Sequence, residues 1–147
     1  MVKRLINILA RELHVKPLKM LFLLILTLDV IVGIFDFHLV FKLTILAIIG
    51  CIFTYAVNIP LKTLFKTKRP RMDEYQDMEY GFPSFHAQTA FTIATIYSFY
   101  FSSLFIPTFI FATFVGVSRL ITKAHKFIDV FFGSILGVLI GAVLLLL

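Results

Sequence analysis

Five apolar stretches dominate this chain, each near the length a helix needs to cross a lipid bilayer. A bilayer core is about 30 Å thick and a helix rises about 1.5 Å per residue, so about 20 apolar residues span it. The stretches run from Leu18 to Phe35, Leu39 to Ile59, Ser84 to Phe101, Leu104 to Leu120 and Phe127 to Leu147. Backbone polar groups find no water inside lipid, so each stretch must satisfy them internally as a helix. With 60% of residues apolar and 15% charged, too little polar surface remains to cover a water-soluble globule. The same balance excludes disorder, and the lone Cys51 excludes a disulfide scaffold. The expected fold is all-α: an integral membrane helical bundle of five transmembrane helices, forming a single domain over residues 1–147.

Residues 1–16 differ from the rest. Leu5, Leu9 and Leu13 recur every four residues beside Ile6, while Lys3, Arg4, Asn7, Arg11 and Glu12 take other positions. That pattern predicts an amphipathic helix lying in the membrane interface. A signal peptide is the competing reading, but Arg11, Glu12 and His14 interrupt the apolar run. Pro17, Pro60 and Pro83 stand at span boundaries, where a missing N–H costs least. The 60–83 connection is the one long polar segment, carrying Lys62, Lys66, Lys68, Arg69 and Arg71 and then Asp73, Glu74, Asp77 and Glu79.

With five spans, alternate connections share a membrane face. One face holds 13 of the 14 Lys and Arg residues, and Lys42 alone falls on the other. Setting aside Lys62, Arg69 and Arg119 still leaves ten to one. Clustered cations in so apolar a chain mark loops facing anionic head groups rather than nucleic acid. The asymmetry favours a cytoplasmic position for this face of a multi-pass cell-membrane protein.

That face also concentrates the chemistry. Lys62 and Arg69 lie seven residues apart, so both point one way if the second helix continues past Pro60. Ser84 is a natural N-cap, and the free backbone N–H groups behind it suit an anion. Arg119 closes the fourth span, and His125 and Asp129 open the fifth, four residues apart on one helix face. Cations and N–H groups fit a phosphate, and the planar fork of Arg fits it best. Two histidines supply a nucleophile or base and a separate proton donor, with Asp129 expected to accept a hydrogen bond from His125. The chemistry implied is phosphoryl transfer with no required metal.

The run Lys62-x6-Arg69-Pro70, Pro83-Ser84-x-His86, Ser118-Arg119-x5-His125-x3-Asp129 resembles the three-part signature of the type 2 phosphatidic acid phosphatase (PAP2) superfamily. This superfamily includes lipid phosphatases, polyprenyl diphosphate phosphatases and vanadium haloperoxidases. By that resemblance His125 is the nucleophile, Asp129 orients it, and His86 protonates the leaving oxygen and then activates water. Lys62, Arg69, Ser84, the Phe85 backbone and Arg119 would hold the phosphoryl oxygens. The resemblance implies a phosphorylated lipid substrate (polyprenyl diphosphate, phosphatidate or phosphatidylglycerol phosphate), a phosphohistidine intermediate and no cofactor. The chain departs from the pattern in carrying Phe85 where the family usually has Gly, in having five spans rather than six, and in its cytoplasmic charge bias. A lipid phosphotransferase with the same site, or a non-catalytic lipid-binding membrane protein, are the alternatives.

Each feature alone has a plainer reading. His86 would be an interfacial histidine, and His125 with Asp129 an ordinary helical pair. Asp29, within the first span, is read as a structural carboxyl facing the bundle rather than a proton handler. Asn58 and Gln88 border the site and are candidates for supporting hydrogen bonds. Gly133, Gly137 and Gly141 form a small-residue stripe. It allows close packing inside the bundle, on Ala87, Ala90 and Ala94, or a homodimer seam.

Overall fold

A computed structural model of the chain describes residues 36–70 and 80–147, together with residues 19, 23, 26 and 27. The expected interfacial helix, most of the first span with Asp29, and the acidic stretch Asp73–Glu79 lie outside the described residues. Four α-helices are described from end to end: α1 (Phe37–Phe65), α2 (Phe85–Tyr100), α3 (Phe105–Ile121) and α4 (Phe127–Leu146). A 3₁₀ turn at Ser102–Leu104 joins α2 to α3. No strand occurs among the described residues; the one β-type pairing is an isolated bridge between Lys68 and Tyr80. The chain is a helical membrane bundle, in which α1, α4 and the Ser102–Ile121 segment are long and apolar enough to cross a bilayer.

The short helix α2 is the hub. Its Ala87, Ala90, Ile93, Ala94, Ile96 and Tyr97 are all buried, and it packs most extensively on α4, then on α3 and α1. Its 16 residues reach about 24 Å at 1.5 Å per residue. That is enough for a helix sheathed by its neighbours rather than by lipid. The outer helices turn large apolar side chains outward, such as Phe41 and Ile48 of α1, Ile110 of α3 and Leu139 of α4. Lipid takes the place of a core on that side.

The second expected span does not stop at Pro60. Helix α1 runs through it to Phe65 and ends on Lys66, which is left-handed (φ 46°) and donates its N–H to the Lys62 carbonyl at 3.0 Å. Proline removes one helical donor, a loss membrane helices tolerate when other groups are bonded nearby. Here the Thr63 hydroxyl donates to the Pro60 carbonyl at 2.9 Å, and Lys62 ties the last turn to the following loop. The start of α1 follows ordinary capping, with the Asp36 carboxylate accepting from the Leu39 N–H at 3.0 Å.

The glycine stripe of α4 is spent inside the chain. A Cβ on Gly133 would stand 2.6 Å from the Ser84 carbonyl oxygen. Those on Gly137 and Gly141 would strike Gln88 and Phe91, and Thr92 and Thr95. The packing partners are therefore the Ser84, Gln88, Thr92 edge of α2 rather than the expected alanines. The face that a homodimer seam would use is thus occupied by α2 within the chain, and nothing among the described residues supports a homodimer through these glycines.

Candidate active site

Four segments meet at one end of the bundle: the end of α1, the loop that follows it, the first turn of α2, and the α3–α4 turn. The loop is folded back on itself at Thr67. The Thr67 carbonyl accepts from the Gly81 N–H at 2.8 Å, and its hydroxyl accepts from the Phe82 N–H at 2.8 Å. A cis peptide joins Phe82 to Pro83. Lys62, 3% exposed, directs its ammonium at this loop and donates to the carbonyls of Tyr80 (3.0 Å), Gly81 (3.3 Å) and Pro83 (3.0 Å). All three of its donors are engaged there. Lys62 thus clamps the loop and brings its charge near the site.

The α3–α4 turn is built on Arg119. Its carbonyl accepts from the N–H groups of Ala124 (3.1 Å) and His125 (3.3 Å), fixing where His125 leaves the backbone. The guanidinium is wholly buried, with Nε donating to Ser118 Oγ at 3.1 Å. His125, 4% exposed, then stands between two charged groups. Its Nε2 faces Arg69 Nη1 at 3.5 Å, and its Nδ1 faces Asp129 Oδ2 at 3.7 Å. The guanidinium can only donate, so Nε2 carries the lone pair and Nδ1 the proton.

Asp129 does not make the expected hydrogen bond to His125 in this state. A separation of 3.7 Å exceeds hydrogen-bond range. The same oxygen instead accepts from the Lys126 N–H at 2.8 Å, within a capping box at the start of α4. Catalytic hydrogen bonds are often long without substrate and tighten on binding. Ser84 also departs from expectation. It occupies the N-cap of α2 but makes no side-chain cap bond. Its backbone N–H donates to the Asp129 carbonyl at 2.9 Å, joining the start of α2 to α4.

Phe85 and His86 form the first turn of α2, whose N–H groups have no helical carbonyl to bond. Both are half-buried. The Phe85 ring lies edge-on to His86, centroids 6.3 Å apart, and to Tyr55 of α1, 6.2 Å apart.

Buried polar atoms are nearly always paired. Yet Ser84 Oγ, Arg69 Nε, His125 Nδ1 and Asp129 Oδ1 are buried here with hydrogen-bonding capacity unspent. Lys62, Arg69 and Arg119 outweigh Asp129, so the local field favours an anion. Among the described residues, no group of three or more His, Cys, Asp or Glu side chains gathers as a metal site would.

Burial, above all, pushes the His125 pKa down to about 4; Arg69 and Lys62 press the same way and Asp129 opposes them. Burial also lowers the Arg69 pKa, against the pull of Asp129, but a guanidinium stays charged. At neutral pH the site therefore holds a neutral imidazole beside fixed cations.

One residue of the site went unnoticed in the sequence. A Cβ on Gly81 would stand 3.0 Å from Asp129 Oδ2 and 3.4 Å from Arg69 Cγ. Any larger residue would press on both side chains, which would have to give by a few tenths of an ångström.

Residues 39–147 match the model of the PAP2 superfamily. The chain belongs to that superfamily. Dolichyldiphosphatase 1 of Dictyostelium discoideum is 33% identical over 112 residues, 67% of this chain and 49% of that protein. The chain thus spans about half the length of this curated relative. Two solved structures share the fold. The first transmembrane PAP2-type phosphatidylglycerolphosphate phosphatase from Bacillus subtilis superposes with a TM-score of 0.73 at 18% identity, covering 94% of this chain and 74% of that one. Aquifex aeolicus LpxE gives 0.69 at 28% identity, covering 97% and 87%. In this PAP2 protein all three signature segments meet at one end of the bundle, as the sequence order anticipates.

Proposed function

We propose that this PAP2 protein is a membrane-embedded phosphatase that removes the terminal phosphate of a single-chain lipid phosphate or diphosphate through a phosphohistidine at His125. One observation carries the reading: His125 Nε2 faces the Arg69 fork at 3.5 Å, with Asp129 Oδ2 3.7 Å from the opposite nitrogen. A phosphoryl group that binds Arg69 presents its phosphorus to the Nε2 lone pair. Nε2 attacks, the bond from phosphorus to the leaving oxygen breaks, and His86 at the first turn of α2 supplies the proton. His86 then takes a proton from water, the hydroxide attacks phosphorus, the P–N bond breaks and phosphate leaves. Arg69, Arg119 and the α2 N–H groups, including that of Phe85, stabilise the oxygens throughout. Phosphate release from a panel of polyprenyl diphosphate, phosphatidate and phosphatidylglycerol phosphate tests the activity; no release from any of them would refute it.

The polyprenyl class is favoured within that panel. It agrees with what the Dictyostelium relative is named for, and the Phe85 ring braced by Tyr55 supports it. An aromatic wall beside His86 narrows the path of the leaving group, admitting one chain more readily than a glycerol bearing two. Phe85→Gly is expected to shift kcat/KM toward two-chain phosphates by about tenfold, a typical scale for pocket-shape discrimination. An unchanged preference would remove Phe85 from substrate selection.

The site is proposed to face the cytoplasm. Lys42 lies against the Tyr100 ring at 5.2 Å, at the end of the bundle away from His125. Among the described residues, Lys62, Lys66, Lys68, Arg69, Arg119, Lys123 and Lys126 belong to the segments of the His125 end. Protease should remove an amino-terminal tag from inverted vesicles, and protection there would reverse the orientation.

A further inference from the structure

Helix α1 carries a polar stripe at four-residue spacing, Thr54, Asn58 and Lys62, all buried in an otherwise apolar helix. Each rung meets the edge of α2 or the loop just before it. Thr54 Oγ1 and Thr92 Oγ1 are 3.3 Å apart. Asn58 Nδ2 donates to Gln88 Oε1 at 2.7 Å and to the Pro83 carbonyl at 3.1 Å. Lys62 Nζ donates to that same Pro83 carbonyl at 3.0 Å. The Pro83 oxygen and the Ser84 N–H belong to one peptide group, whose N–H donates to the Asp129 carbonyl at 2.9 Å. A single peptide is therefore held on its oxygen by two donors from α1 and on its nitrogen by α4, immediately before the turn bearing Phe85 and His86.

We propose that Asn58 is a positioning residue for catalysis: through the Pro83–Ser84 peptide it aligns the first turn of α2 with the His125–Asp129 turn. Asn58 is 1% exposed and Gln88 fully buried, so neither reaches solvent. Hydrogen bonds between membrane helices add little association energy beyond what apolar packing supplies. What this pair adds is direction, because Gln88 holds the Asn58 amide so that its second N–H points at the Pro83 oxygen. Lys62 restrains the same oxygen from the loop side. Removing Asn58 leaves Lys62 alone to hold that oxygen from α1, so the peptide can tilt about its bond to Asp129 and carry with it the N–H groups that receive the phosphoryl oxygens.

The inference rests on the phosphatase reading for its catalytic consequence, and its test is built to fail separately. Orthovanadate, which adopts the five-coordinate geometry of a transferring phosphoryl group, is titrated onto the full-length protein in detergent, alongside inorganic phosphate and turnover. Asn58→Leu is expected to weaken vanadate binding about tenfold and lower kcat by a similar factor. KM and phosphate affinity should change less than about threefold. Thr54→Val, one rung further along the stripe, should leave vanadate affinity unchanged. If Asn58→Leu does not fold, Gln88→Leu replaces it, with an expected loss of about threefold. Equal losses in Thr54→Val and Asn58→Leu, or no loss in the folded position-58 or position-88 variant, would overturn the inference. So would a wild-type protein that binds no vanadate. A wild-type protein that binds vanadate with the expected variant pattern, yet hydrolyses no lipid phosphate, would defeat the phosphatase reading and leave the positioning role standing.

Discussion

Replacing His125 with alanine is expected to lower the rate of phosphate release at least about 1,000-fold, since the proposed route has no second nucleophile. Binding of the lipid phosphate should survive, because Arg69, Arg119 and the first turn of α2 remain. The loss should fall on kcat and leave KM within a few-fold. The wild-type pH profile carries the same signature. Burial beside Arg69 and Lys62 holds the His125 pKa near 4, so kcat/KM should keep the nucleophile deprotonated down to about that pH. A bound phosphoryl dianion stabilises the imidazolium, so the acid limb of kcat should lie at higher pH than that of kcat/KM. Coincident limbs near pH 6.5 would mean that the imidazole is neither buried nor pressed by the cations. Full phosphate release by His125→Ala would remove it from the chemistry altogether.

The second large effect is structural. Gly133→Val places a branched side chain where even a Cβ would stand 2.6 Å from the Ser84 carbonyl oxygen and 3.2 Å from the Ser84 nitrogen. Both neighbours are backbone, so no side chain can swing aside. Overpacking of this kind costs about 1–3 kcal/mol even where neighbours can shift. It also pries apart the Ser84 N–H and the Asp129 carbonyl, which are bonded at 2.9 Å. A displacement of about 1 Å at a reacting centre can cost about 100-fold in rate. Thermal unfolding in detergent and phosphate release should therefore fall together. Leu139→Ala, on the lipid-facing side of the same helix, should change neither by much. A Gly133→Val protein with wild-type stability and activity would contradict the α2–α4 packing.

The contrast between these two substitutions shows how unevenly sequence discloses this molecule. The spans of α1, α3 and α4 were legible because lipid imposes one simple demand, and apolar length answers it. The gathering of the candidate site's segments was legible because its cations, histidines and carboxylate sit at spacings that survive without knowledge of tertiary contacts. What the sequence hid were the choices made by contact. Pro60 looked like a helix end, but the loop carbonyls that accept from Lys62 hold the following turn in place. Ser84 looked like a capping side chain, but α4 takes its N–H instead. Gly81 gave no sign, because the carboxylate that its missing side chain leaves room for belongs to Asp129, far along the chain. The Thr54, Asn58, Lys62 stripe was visible as a four-residue repeat of polar groups in an apolar helix. Its meaning needed the facing edge of α2.

The central claim is the covalent intermediate. Wild-type protein mixed with lipid substrate labelled in its terminal phosphate, and quenched in base within one turnover, should carry label on the polypeptide. That label should be stable to base, lost in acid, confined to the peptide containing His125, and absent from His125→Ala. Release of labelled phosphate with no labelled protein at any quench time, or label on a residue other than His125, would contradict it.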